Sequence, residues 1–125
     1  MIDCSFEINY FIKEDSVIVL YLKKNICLES LPKIKDIMLE YLSKAINNII
    51  LDLCECSFIE RDIWNYLIDL KKELYDCCGD IVLSNLDGNV KLDYDLMELS
   101  NTIESFESLN DALYNFGIFN QTRFA

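Results

Sequence analysis

The stretch from Asn47 to Leu74, NNIILDLCECSFIERDIWNYLIDLKKEL, changes its hydrophobic period halfway, which constrains the fold more than any other feature of the chain. Ile49-Ile50-Leu51-Asp52-Leu53 is a short apolar run rich in β-branched residues, the pattern of a strand buried on both faces. A polar loop, Cys54 to Ser57, follows, then Phe58-Ile59 and the charged triplet Glu60-Arg61-Asp62. From Ile63 the period is helical, with Ile63, Leu67, Leu70 and Leu74 on one stripe. The stretch therefore predicts strand, loop and helix, with a charged tip where the helix begins. In an open α/β sheet such a tip is where ligands or partners dock.

The flanking sequence supplies the rest of a sheet. Ser5 to Ile12 alternates, with Phe6, Ile8, Tyr10 and Ile12 on one face, and predicts a half-buried strand. Lys13 to Ser16 reads as a turn and Val17 to Leu22 as a second strand, so the chain opens with an antiparallel hairpin. Lys23 to Glu29 reads as a loop. Ser30-Leu31-Pro32 predicts a helix start, a capping hydroxyl before a proline tolerated in the first turn. Leu31, Ile34, Met38, Leu39 and Leu42 supply that helix's apolar face. Gly79 marks the end of the helix that begins near Ile63, as the residue suited to a left-handed turn. Asp80 to Ser84 is a further buried strand, Asn85 to Asn89 a loop, and Val90 to Leu99 a helix with Leu92, Leu96 and Leu99 inward. Thr102 to Phe106 predicts an edge strand. Ser108 caps a last helix whose inner stripe is Leu109, Ala112, Leu113 and Phe116. The order is ββαβαβαβα, an α/β fold with a mixed β-sheet and helices mainly on one face. Residues 1–116 read as one domain and residues 117–125 as a flexible tail.

Charge and cysteine usage narrow the function. Eleven basic against 22 acidic residues give a net charge of −11. That opposes nucleic-acid binding, which needs clustered Lys and Arg, and binding to anionic membranes. It fits a solvated surface or a partner with a basic face. No apolar run reaches the ~20 residues of a membrane span. The first residues lack a basic-then-apolar leader pattern, so the six cysteines are expected to be reduced thiols in the cytoplasm.

Little in the sequence carries catalysis. Histidine is absent, and with it the commonest general base and metal ligand. The three glycines stand alone, so no glycine-rich phosphate loop exists. Cys54-X-Cys56 lacks the spacing of a zinc knuckle or a redox dithiol. Cys77-Cys78 falls at the far end of a helix, roughly 20 Å from that loop at ~1.5 Å per residue. The cysteines read as small buried hydrophobes, and neither a metal nor another cofactor is expected. Glu60 and Asp62 read as capping and dipole-favourable carboxylates rather than an acid/base pair. Arg61 is unusual, because a cation in the first turn opposes the helix dipole by about 0.3–1 kcal/mol. Either its carboxylate neighbours neutralise it while its stem packs on the surface, or it is kept for a partner. Trp64 is core edge or partner anchor.

The same stretch resembles the signature region of STAS domains, the family of bacterial anti-sigma factor antagonists and sulphate-transporter tails. Its usual form is a buried strand ending in Asp-Leu, a short loop, an apolar-apolar-Asp-Ser-Ser-Gly tip and a helix. Asp52-Leu53 and Phe58-Ile59 match. Glu60 stands where the Asp would be, Arg61 where signalling members carry the phosphorylated Ser, Asp62 for the second Ser and Ile63 for the Gly. Lys24 and Cys27 fall near the positions of a Gly and an Asp in the loop of relatives. The order of elements follows the STAS fold over roughly residues 5 to 116. The resemblance implies a non-enzymatic bacterial signalling protein of the partner-switching kind. Its partner would be an anti-sigma factor or kinase-like ATPase, met through Glu60, Arg61, Asp62, Ile63, Trp64 and Cys27. Arg61 has no hydroxyl to phosphorylate, and Ser57 is the neighbouring one. A homodimer is left open. The alternative is a structural STAS subunit of a transporter-associated assembly.

Overall fold

The alternating first segment and the apolar second one form a hairpin, β1 (Phe6–Lys13) and β2 (Val17–Ile26), antiparallel from Phe6↔Lys24 to Lys13↔Val17. The computed structural model describes residues 5–119, so Cys4 and residues 120–125 of the expected tail lie outside it. A 3-10 turn at Leu28–Ser30 leads into helix α1 (Leu31–Leu42). Strand β3 (Asn48–Asp52) then runs parallel to β2. Next come β4 (Cys56–Ile59), helix α2 (Arg61–Asp76) and strand β5 (Asp80–Ser84). Helix α3 (Gly88–Leu96), the two-residue strand β6 (Ser105–Phe106) and helix α4 (Leu109–Asn115) complete the described fold. The sheet is mixed, in the order β1-β2-β3-β5-β6.

Two strands share one side of β2. Strand β3 pairs Val17–Tyr21, and where it ends, β4 takes over against Lys24–Ile26. The register shifts between Lys24 and Asn25, and Lys24 adopts φ +68°. This corrects the sequence reading at two places. Cys56–Ile59 is a strand rather than part of a loop, and β2 continues through residues expected to be loop. A four-residue strand is too short for its alternation to show, and it exists because β2 outruns β3.

The sheet buries both faces. One packs Ile18, Leu20, Leu22, Ile49, Leu51, Ile81 and Leu83 beneath α1, α2 and α3. The other packs Val17, Val19, Ile50 and Val82 beneath α4. Helix α2 supplies the expected Ile63, Leu67, Leu70 and Leu74, all 2% exposed or less. Each contributes roughly 1.5–3 kcal/mol by that burial.

Further readings are corrected. In α1, Ile37 is buried and Leu39 is 66% exposed. In α3, Val90 and Tyr94 face the core while Leu92 and Leu96 are exposed, because the helix starts at Gly88 and its inner face is set by Trp64 and Ile103. The Ser30 hydroxyl accepts from the Cys27 amide at 3.1 Å instead of capping α1. At the end of α2, Cys78 takes the left-handed conformation at φ +61°. Gly79 is needed for another reason: a Cβ there would lie 2.2 Å from the Asn47 carbonyl oxygen. The packed chain also runs past residue 116, since Ile118 is buried in the second cluster. Ser108 caps α4 as expected, accepting from the Asp111 amide at 3.1 Å.

Candidate functional site

The charged triplet sits where β4 turns into α2, at the end of the sheet at which β3 and β5 also terminate. Two hydrogen bonds tie this turn to the loop after β2. The Glu60 amide donates to the Ile26 carbonyl at 2.9 Å. The Glu60 carboxylate accepts from the Leu28 amide, also at 2.9 Å. Glu60 occupies the N-cap position with extended backbone (φ −69°, ψ 150°), yet its side chain does not cap its own helix. It clamps a neighbouring loop instead.

Beside it the sheet end is fastened by Asp52, which is 2% exposed. Its carboxylate accepts from the Ser84 hydroxyl at 2.9 Å, the Asn85 side-chain amide at 2.7 Å and the Cys54 amide at 3.2 Å. A buried carboxylate is tolerated when donors surround it as these do. The network joins the ends of β3 and β5 and fixes the start of the β3–β4 turn. Burial first, then the negative charge of Asp52, raises the Tyr21 hydroxyl and the Cys54 thiol above their ordinary values. The Cys56 thiol is pushed up to about 11 by burial, partly offset by a hydrogen bond with the Phe58 backbone. Thiols held protonated in this way are poor nucleophiles. Among the described residues, no group of three or more Cys, Asp or Glu side chains is placed to hold a metal ion.

The six residues expected to meet a partner separate by burial. Arg61 and Asp62 are exposed and Glu60 is half-buried. Ile63, Trp64 and Cys27 are 0%, 1% and 2% exposed, so their side chains belong to the core and not to a contact surface. For Trp64 this resolves the two readings in favour of core: the ring packs 6.4 Å from that of Tyr94, and its buried Nε1 has no hydrogen-bond partner among the described residues. Arg61 makes no ion pair among the described residues, so neither carboxylate neighbour neutralises it by direct contact.

The loop also presents a residue that the sequence reading passed over. Leu28, adjacent to buried Cys27, is 49% exposed. Its signal was an apolar side chain in a polar connection, Cys27-Leu28-Glu29. Ser57 is exposed on β4 and lines an open cleft of about 340 Å³ with Cys54, Glu55, Asp87 and Asn89. The exposed tip is thus Leu28, Arg61 and Asp62, with Ser57 and an acidic rim to one side.

Fold and tip define a mixed-sheet α/β protein whose charged strand-to-helix turn is presented to solvent. The chain belongs to the STAS domain family, whose model matches residues 11–112. No curated protein matches it in sequence. Solved structures match in fold. A Thermotoga maritima protein assigned as an anti-sigma factor antagonist is 20% identical, with 86% of this chain and 92% of that one covered at a TM-score of 0.78. An anti-sigma factor antagonist from Mycobacterium paratuberculosis is 17% identical, covering 89% and 93% at 0.76. The phosphorylated form of the Bacillus cell-fate determinant SpoIIAA is 14% identical, covering 88% and 99% at 0.69. No helix among the described residues is long and apolar enough to cross a membrane.

Proposed function

We propose that this protein is a non-enzymatic, cytoplasmic regulator of the anti-sigma factor antagonist kind. It binds a protein partner, an anti-sigma factor or kinase-like ATPase, through Leu28, Arg61 and Asp62, without a phosphoserine at the tip. The observation that carries the reading is Arg61, exposed at the first position of α2 and unpaired among the described residues. Its charge opposes the helix dipole by about 0.3–1 kcal/mol. A partner carboxylate would relieve that opposition, and the guanidinium fork suits such a group. Arg61 cannot accept a phosphoryl group, so contact here would not be switched by adding charge at this position.

The test is affinity capture from the native lysate with wild type and Arg61→Ala, the retained proteins being identified by mass spectrometry. Recovery of an anti-sigma factor or kinase-like ATPase by wild type, and its loss in the variant, supports the reading. Recovery of a permease or transport ATPase complex by both proteins contradicts it and makes this a structural subunit. A phosphate on Ser57 that abolishes binding contradicts the unswitched part alone.

A further inference from the structure

The two edges of the sheet are built differently. The β6 edge is two residues long and flanked by Glu104 and Glu107. The β1 edge is an eight-residue strand paired residue for residue with β2, with no proline and no register break. Short length, charge, proline and bulges are the devices by which sheets block pairing with another chain. The β6 edge uses two of them, and β1 lacks proline and bulges and holds its charges at or near its ends.

The groups of β1 without a strand partner among the described residues follow from its hydrogen-bonding parity. The Asn25 amide donates to the Ser5 carbonyl, so odd-numbered residues bond inward to β2. Alternation in an antiparallel ladder then turns the amides and carbonyls of Phe6, Ile8, Tyr10 and Ile12 to the open edge. We propose that this edge pairs antiparallel with β1 of a second copy about a two-fold axis at Tyr10, giving one sheet continuous across two molecules. Parity admits only registers in which even residues face even residues. Centring on Tyr10 places Ile8 against Ile12 and Glu7 against Lys13 of the other copy, twice over by symmetry. Opposite charges and matched β-branched residues directly across a ladder are favourable pairs. Tyr10, 42% exposed, meets its own symmetry mate.

Charge distribution favours a second copy at this edge. The β1–β2 hairpin carries three acidic residues (Glu7, Glu14, Asp15) and three basic ones (Lys13, Lys23, Lys24). Residues 104–111, which carry the opposite edge strand β6, hold three acidic residues and no basic one. Pairing through β1 keeps those like charges at the outer ends of the dimer.

Sedimentation equilibrium across micromolar to millimolar protein tests this, with circular dichroism to confirm folding. Wild type is expected to approach twice the monomer mass. Lys13→Glu sets Glu against Glu twice and weakens the dimer about tenfold, and the double variant Glu7→Lys/Lys13→Glu restores it. Tyr10→Pro removes an outward amide at an edge position that tolerates proline, and abolishes the dimer. If that variant does not fold, the charge reversal decides alone. A wild type that stays monomeric throughout overturns the proposal, as does a dimer unaffected by Tyr10→Pro. A dimer that proline abolishes and charge reversal leaves unchanged overturns the Tyr10-centred register.

Discussion

The Glu60 carboxylate and the Leu28 amide lie 2.9 Å apart across 32 residues of sequence, joining the start of α2 to the loop that follows β2. Through this bond an acidic residue positions an exposed leucine beside an exposed arginine. Removing the acceptor with Glu60→Ala should lower stability by about 0.5–1.5 kcal/mol, since the bond is charge-assisted but exposed. Glu60→Gln keeps a carbonyl acceptor and should lose less than half as much. Hydrogen exchange at the Leu28 amide reads the effect directly: it should accelerate in the Ala variant and stay near wild type in the Gln variant.

Asp52 should matter more for folding. Its carboxylate satisfies Ser84, Asn85 and the Cys54 amide from a buried position. Asp52→Ala leaves those donors unpaired and should cost about 2–3 kcal/mol in urea denaturation. Asp52→Asn keeps one acceptor and should fall between that variant and wild type.

Gly79→Ala should destabilise the chain by about 1–3 kcal/mol, because the new Cβ meets the Asn47 backbone and not a mobile side chain. Cys78→Gly, at the neighbouring left-handed position, should be neutral or stabilising. Thermal melts of the pair distinguish close approach from backbone conformation as the reason a glycine stands at position 79.

Stability should fall on the alkaline side. The Cys56 thiol titrates near 11 in the folded chain against an ordinary 9.0, because burial disfavours the thiolate. Between those values the unfolded chain releases this proton and the native chain retains it. Stability is therefore full below about pH 9 and declines until about pH 11, by on the order of 2 kcal/mol from this group. Denaturation midpoints measured from pH 7 to 11 should show a shallower decline in Cys56→Ala than in wild type.

Much of this fold is legible in the sequence because long periodic segments report their environment. The stripe Ile63, Leu67, Leu70 and Leu74 is the buried face of α2, and the runs 49–51 and 81–83 are central strands. The readings that failed lie where periodicity is ambiguous. Leu92 and Leu96 have helical spacing, yet Val90 and Tyr94 reach the core, and the Tyr94 hydroxyl is anchored on the Ile103 carbonyl. Strand β4 depends on β2 outrunning β3, a property of two distant segments. At the tip, the sequence left Trp64 open between core edge and partner anchor, and the resemblance pointed to Cys27 while exposed Leu28 was passed over. A reversal between adjacent residues is decided by the 3-10 turn that Ser30 fastens through Cys27. The Glu60 clamp was illegible for the same reason, being a bond between separate elements.

The proposed function requires a protein partner that docks on Arg61 and Leu28. Once a partner has been captured, calorimetric titration against wild type, Arg61→Ala and Leu28→Ala tests it most directly. Each substitution should raise Kd about tenfold or more, roughly 1.4 kcal/mol or above, with the fold intact. Unchanged affinity in both variants would place the contact elsewhere on the molecule and overturn the proposed tip.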